Sequence, residues 1–148
     1  MPFDVNIQIV PAAQYTGMGF YSFGQTRSLA VRGLQKLVNM FAKYLLTPVG
    51  TDPTDVTYGT NLTNLIGTNI VLNDAREVLD IAVGKTVTAI QGWQSGKAAI
   101  PDDERLASAS VTDYIEVPSG PGFSAQIFIT NVSGQQLQIV LPTLEVRQ

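Results

Sequence analysis

The sequence has 148 residues, a length suited to one domain with a sizeable core. It contains neither Cys nor His, which excludes disulfides, thiolate-held metal sites and Ser-His-Asp or Cys-His catalysis within the chain. Charged side chains make up only 14% and the formal net charge is −3, against about 25% charged residues in typical domains.

Ser, Thr, Asn and Gln together number 40, nearly twice the charged set. Such a composition fits a neutral polar surface, or a subunit whose surface is covered by neighbours, because interface cores are depleted in charge. The nine basic residues are scattered, so no basic run is present to neutralise phosphates and no nucleic-acid partner is expected. No apolar stretch reaches the ~18 residues of a membrane span, so no membrane partner is expected. The start, Met1 to Val10, lacks the basic region and long apolar stretch of a secretory signal.

Residues 1–27 read as an irregular N-terminal arm, and residues 28–148 as the domain. Within the arm, Val5, Ile7 and Ile9 alternate with Asn6 and Gln8 and predict a short strand ending at Pro11. Gly17, Gly19 and Gly24 interleave with Tyr15, Phe20, Tyr21 and Phe23. The Gly-x-Gly here lacks the third Gly and the Lys-Ser/Thr ending of a phosphate loop.

Ser28 is a candidate N-cap for a helix running to about Leu46. Its apolar face is Val31, Leu34, Leu37, Val38, Phe41 and Leu45, with Arg32, Gln35, Lys36, Asn39 and Lys43 mostly off it. Thr47-Pro48 ends it, because the residue before Pro disfavours the helical region. Turn residues punctuate 47–69, and Leu62, Leu65 and Ile66 have the spacing of one short helical turn. Asn73 is the expected cap of a second helix to about Gln91, buried along Ala75, Leu79, Ala82, Val83, Thr86 and Ile90. Asp74 and Glu77 suit its first turn, where the helix dipole favours carboxylates.

Gly92 to Asp103 is predicted as a loop around the single Trp. From Arg105 the period becomes two. Ala107, Ala109, Val111, Ile115 and Val117 are expected on one strand face, and Ser108, Ser110, Thr112 and Tyr114 on the other. Phe123 to Val132 and Gln135 to Val140 predict two further strands joined through Ser133-Gly134. Pro142 fits an edge or terminal position. The expected fold class is α+β: two main helices packed on a small, mostly antiparallel sheet with a C-terminal three-stranded meander.

Candidate chemistry is sparse. Asp102-Asp103-Glu104 is the densest acidic cluster, but it lacks the spacing of a calcium loop and reads as a solvated turn. Glycoside hydrolysis needs two carboxyl groups about 5–10 Å apart, and Glu104, Asp113 and Glu116 are the available candidates. Asp113 interrupts the apolar face of its strand and invites a structural partner such as Arg76 or Arg105. No catalytic residue, cofactor or metal site is assigned. The sequons Asn61-Leu62-Thr63 and Asn131-Val132-Ser133 read as chance matches.

The segment Leu45-Leu46-Thr47-Pro48-Val49-Gly50, followed by Pro53 and by Tyr58-Gly59-Thr60-Asn61-Leu62-Thr63-Asn64-Leu65-Ile66-Gly67, is the most informative part of the chain. It resembles the baseplate wedge, or sheath initiator, family of contractile phage tails and related injection systems. Members pair an amphipathic helix ending in Leu-Leu-Thr-Pro-x-Gly with a downstream Tyr/Phe-Gly-x-x-Leu-x-x-Leu. A second helix, a Trp-containing turn and a C-terminal meander follow, here residues 73–91, Trp93 and residues 105–141. The family often continues its Trp with Glu-Pro-Arg, where this sequence has Gln94-Ser95-Gly96.

The resemblance implies a non-enzymatic structural subunit of the virion tail baseplate, present in multiple copies and assembled in the host cytoplasm. Its implied partners are tail sheath subunits and baseplate wedge and hub proteins. Sheath would join by adding strands to a sheet edge, with backbone groups supplying most of the hydrogen bonds. The candidate interaction residues are Trp93, Gln94, Ile127, Ile129, Ile139 and Leu141. Residues 123–141 carry no charge, so this hairpin lacks the usual guard against edge pairing. Two other readings stand beside this one: a peptidoglycan-cleaving enzyme using carboxylates, and another tail tube or connector protein.

Overall fold

The computed structural model describes residues 32–65, 72–116 and 122–145. Its elements run in the order α1 (Gly33–Leu46), a 3-10 turn (Leu62–Leu65), α2 (Leu72–Gln94), a second 3-10 turn (Asp102–Glu104), β1 (Leu106–Glu116), β2 (Gly122–Asn131) and β3 (Gln136–Glu145). The strands form an antiparallel meander with β2 in the centre. This is the α+β arrangement expected from the sequence. The arm, the strand expected at Val5–Ile9, Ser28, Val31, Ile66 and Val117 lie outside the described residues, as do residues 118–121 of the turn-rich stretch 118–122, which reads as a loop in the sequence and whose Gly122 opens β2.

Both helices bury their apolar stripe against one sheet face. Leu37, Val38, Phe41, Ala42 and Leu45 of α1 join Ala75, Leu79, Ala82, Val83 and Ile90 of α2. The sheet supplies Leu106, Ala125, Ile127, Ile129, Ile139 and Leu141 to the same core. Period-two alternation explains the strand contributions: Ala125, Ile127 and Ile129 point to the helices, while Gln126, Phe128 and Thr130 point away. Asn39 departs from the expected polar face of α1. It is buried, with its side-chain oxygen accepting from Gln35 Nε2 at 3.0 Å.

Four local expectations need correction. Asn73 lies within α2, after its first described residue Leu72. The helix continues through Gly92, Trp93 and Gln94, because the left-handed glycine that ends it is Gly96 (φ +75°). In β1 the registers Leu106↔Asn131, Ser108↔Thr130 and Val111↔Ile127, Asp113↔Gln126 each leave one extra residue, Ala107 and Thr112. These bulges reset the alternation. Ala107 is therefore exposed, and Tyr114 joins Ala109 and Val111 against the core. Asp113 turns out to solvent and needs no buried partner. Arg76 instead stacks over the Tyr114 ring, 4.9 Å from its centroid. Tyr114 donates its hydroxyl proton to Asp80 of α2; burial and this bond push the phenol well above its ordinary value.

The β2–β3 turn is closed by Asn131, only 1% exposed. Its backbone N–H donates to Gln135 O, and its side chain accepts from the Gln135 N–H at 2.8 Å and donates to Asp103 O at 2.9 Å. Further along β3, the registers Phe123↔Leu144 and Ala125↔Leu141 leave one extra residue in the Pro142–Thr143 region. A bulge on an edge strand is a position that tolerates Pro.

Candidate protein-interaction site

The sequence motif at residues 45–62 builds a closed loop. Thr47 ends α1, its N–H and its hydroxyl both donating to Lys43 O. Thr60 then returns the chain beside it: the Thr60 N–H donates to Thr47 O at 2.9 Å, and the Val49 N–H donates to Thr60 O at 3.1 Å. The buried Thr60 hydroxyl donates to Leu45 O at 2.6 Å and accepts from the Leu62 N–H at 3.2 Å. Tyr58 packs edge-on against Tyr44 with ring centroids 4.7 Å apart. Leu-Leu-Thr-Pro and Tyr-Gly-Thr thus hold each other, and Leu62 is delivered into the core at 1% exposure.

Glu104, weighed above as a catalytic carboxylate, has a structural position. Its Oε1 accepts from the Gly33 N–H at 3.2 Å and its Oε2 lies 2.7 Å from Lys36 Nζ. A distant carboxylate therefore caps α1, whose own N-cap residue Arg32 makes no side-chain cap bond. Partial burial alone would raise the Glu104 carboxyl, but the Lys36 and Gly33 hydrogen bonds and the Lys36 charge outweigh it and hold the group below its ordinary value. Its stabilisation is present above the ordinary value of 4.5 and is lost as pH falls through the folded value. Lys36 is half-exposed, so the ion pair itself adds little. Glu104→Ala is expected to cost about 1–2 kcal/mol in urea unfolding at neutral pH, with Glu104→Gln costing less. Both variants should also flatten the acid limb of the stability curve.

The candidate interaction residues divide into three groups. Trp93 stands in the last turn of α2, 55% exposed, with Lys97 Nζ 3.7 Å from its ring centroid. Gln94 is buried and internally engaged. Its Oε1 accepts from the Leu106 N–H at 2.9 Å and its Nε2 donates to Glu104 O at 2.8 Å. Ile127 and Ile129 lie on the central strand at 0% exposure, and Ile139 and Leu141 face the helices at 7% and 4%. These four form core beneath α1 and α2, so their side chains are not a docking surface.

The edge of the sheet is formed by other groups of β3. Asn131 and Gln135 make the closing hydrogen-bonded pair of the hairpin. Bonded and non-bonded pairs alternate along an antiparallel ladder, so Leu137, Ile139 and Leu141 bond inward to β2. Gln136, Gln138 and Val140 then turn their N–H and C=O groups outward, and no described strand pairs with them. Val140 is 56% exposed. Gln138 donates its side-chain amide to Gln126 on the face away from the helices. The alternation in Gln136-Leu137-Gln138-Ile139 gives the face of each side chain, while the outward backbone set follows only from the register of the hairpin.

The opposite edge, β1, is guarded. It holds two of the three bulges of the sheet, at Ala107 and Thr112, and the exposed Asp113, features that oppose strand addition along its middle. A shallow depression of about 280 Å³ lies between Gln91, Gln94, Ser95, Arg105 and Leu106. Its polar groups bind backbone: Gln91 Nε2 donates to Ala107 O at 2.9 Å, and Arg105 donates to Ile100 O and Lys97 O. Among the described residues, no group of three acidic side chains converges on a metal-sized site, and no helix is long and apolar enough to cross a membrane. No model of a known protein family matches the sequence, and no curated protein matches it.

Proposed function

We propose that this chain is a structural subunit of a contractile tail baseplate that nucleates sheath assembly, offering the outer edge of β3 to a strand of a sheath subunit. The observation that carries the reading is the unguarded edge: Gln136 to Leu141 contains no charge, and three of its residues present backbone groups outward. The resemblance at residues 45–67 supplies the partner, and the low charge of the chain suits a subunit with many neighbours. No catalysis is part of the proposal. Glu104 is occupied as a helix cap, Asp113 is exposed to solvent, and the β3 edge needs no reacting group.

The test is sheath assembly on baseplates prepared without this chain and then supplied with variants. Wild type should restore sheath. Gln138→Pro removes one outward N–H and interrupts the edge, while the inward bonds of Leu137 and Ile139 remain. It should reduce sheath-bearing particles at least about tenfold, the effect of losing about 1.4 kcal/mol of binding. Full sheath on baseplates lacking the chain would remove the proposal. Clearing of a cell-wall suspension by the purified chain would point instead to the carboxylate enzyme.

A further inference from the structure

Besides accepting a foreign strand, the β3 edge matches a second copy of itself. We infer that the free chain associates as a two-fold dimer through antiparallel β3–β3 pairing centred on Gln138, and that this dimer masks the edge until a partner strand displaces it. The inference concerns the regulation of the edge proposed above and rests on that reading for its meaning. The pairing itself follows from the strand alone.

The outward residues Gln136, Gln138 and Val140 are evenly spaced about Gln138. In an antiparallel pair about a two-fold axis at Gln138, Gln138 faces Gln138 of the second copy, and Gln136 faces Val140 in both directions. Each of these is a pair in which both residues present outward N–H and C=O groups, giving about six backbone hydrogen bonds across the axis. On the helix side, Leu137 meets Ile139 of the other copy, so the apolar row of the sheet continues. No pair in this register places charge against charge, because Gln136 to Leu141 carries none.

The flanking residues select this register over its neighbours. Pro142, which has no N–H to donate, falls opposite Gly134 in the hairpin turn, where the ladder has already ended. A shift of two residues one way brings Pro142 opposite Gln136 twice, so each of those pairs lacks one bond and falls at the β3 bulge. The same shift the other way sets Val140 against the turn. Centring on Gln138 therefore keeps all six bonds within the regular part of β3, clear of Pro142 and of the bulge beyond Leu141. The guarded β1 edge does not compete, since its bulges and Asp113 interrupt pairing.

The test is sedimentation of the full chain over a wide concentration range, with paired substitutions. Wild type should show a concentration-dependent monomer–dimer equilibrium. Gln136→Lys combined with Val140→Glu places Lys opposite Glu twice in this register and should keep or tighten the dimer. Gln136→Lys combined with Val140→Lys places like charges opposite and should weaken it at least about tenfold. Circular dichroism and urea unfolding of each variant confirm that the fold is retained, which is expected because Gln136 and Val140 are exposed. A chain that stays monomeric at all concentrations overturns the inference, as does equal weakening by both double variants. Either result leaves strand addition by sheath untouched, because that is read from sheath assembly and not from sedimentation of the chain alone.

Discussion

Gly59→Ala is expected to lower the stability of the domain by about 2–4 kcal/mol, a large share of the ~5–15 kcal/mol that holds a typical domain folded. Two costs combine. Gly59 sits at φ +100°, a conformation that an L side chain rarely adopts. A Cβ there would lie 2.2 Å from Thr47 O and 2.9 Å from Thr47 C, both backbone atoms. Relief requires moving the chain apart at the point where the Thr60 N–H donates to Thr47 O and the Val49 N–H donates to Thr60 O. The damage should spread to Leu62, which leaves the core when the loop opens. Gly50→Ala is the control. Its φ of +87° is also left-handed, but a Cβ there meets nothing within 4 Å. It should show only the conformational part, about 1–2 kcal/mol. Chemical denaturation of the two variants side by side separates strain from clash.

Ile127→Ala is expected to cost about 2–5 kcal/mol. Ile127 is fully buried on the central strand, paired between Val111 of β1 and Ile139 of β3 and roofed by the helices. Removing its outer carbons leaves a cavity that three strands and two helices cannot collapse to fill. Ile127→Lys should prevent folding, since a buried unpaired ammonium has no partner there. Val140→Lys, one strand over and on an exposed position, should change stability by no more than about 0.5 kcal/mol. Urea unfolding of these variants distinguishes core from edge within one hairpin. Comparable, small effects at Ile127 and Val140 would mean that the assigned strand faces are wrong.

The helices and the meander were legible because their signals are periodic and local. The stripe Ala75, Leu79, Ala82, Val83, Thr86 and Ile90 is buried throughout, and the helix stop at Thr47-Pro48 is where the sequence places it. What escaped depends on contacts between distant residues. The cap of α1 comes from Glu104, 71 positions away from Gly33, and nothing near Gly33 announces it. The bulges at Ala107 and Thr112 exchange the faces of Tyr114 and Asp113, and a strict two-residue period cannot register an inserted residue. Gly92 read as a helix stop because the chain holds two glycines four apart, and only the partnering of Gln94 with Leu106 and Glu104 decides for Gly96.

The candidate interaction residues show the same division. Ile127, Ile129 and Ile139 lie on the expected strands, and Leu141 lies on β3 just beyond the expected end at Val140, but apolar side chains at alternate positions of a one-sided sheet face its core. An edge is a property of backbone groups. The side chains beside those groups, at Gln136, Gln138 and Val140, are the ones that a substitution can use. Within the informative segment at residues 45–67, the hydrogen bonds between Leu45 and Leu62 hold α1 to its following loop, which gives those residues a structural role beside the resemblance they carry.

The central claim is that sheath joins at the outer edge of β3. Residue-resolved hydrogen–deuterium exchange with and without purified sheath subunit tests it most directly. With the free chain held dilute enough to be monomeric, the predicted result is new protection of the Gln136, Gln138 and Val140 amides, with the inward amides of Leu137, Ile139 and Leu141 unchanged. Binding that protects residues elsewhere and leaves those three outward amides exchanging as in the free chain would contradict the account.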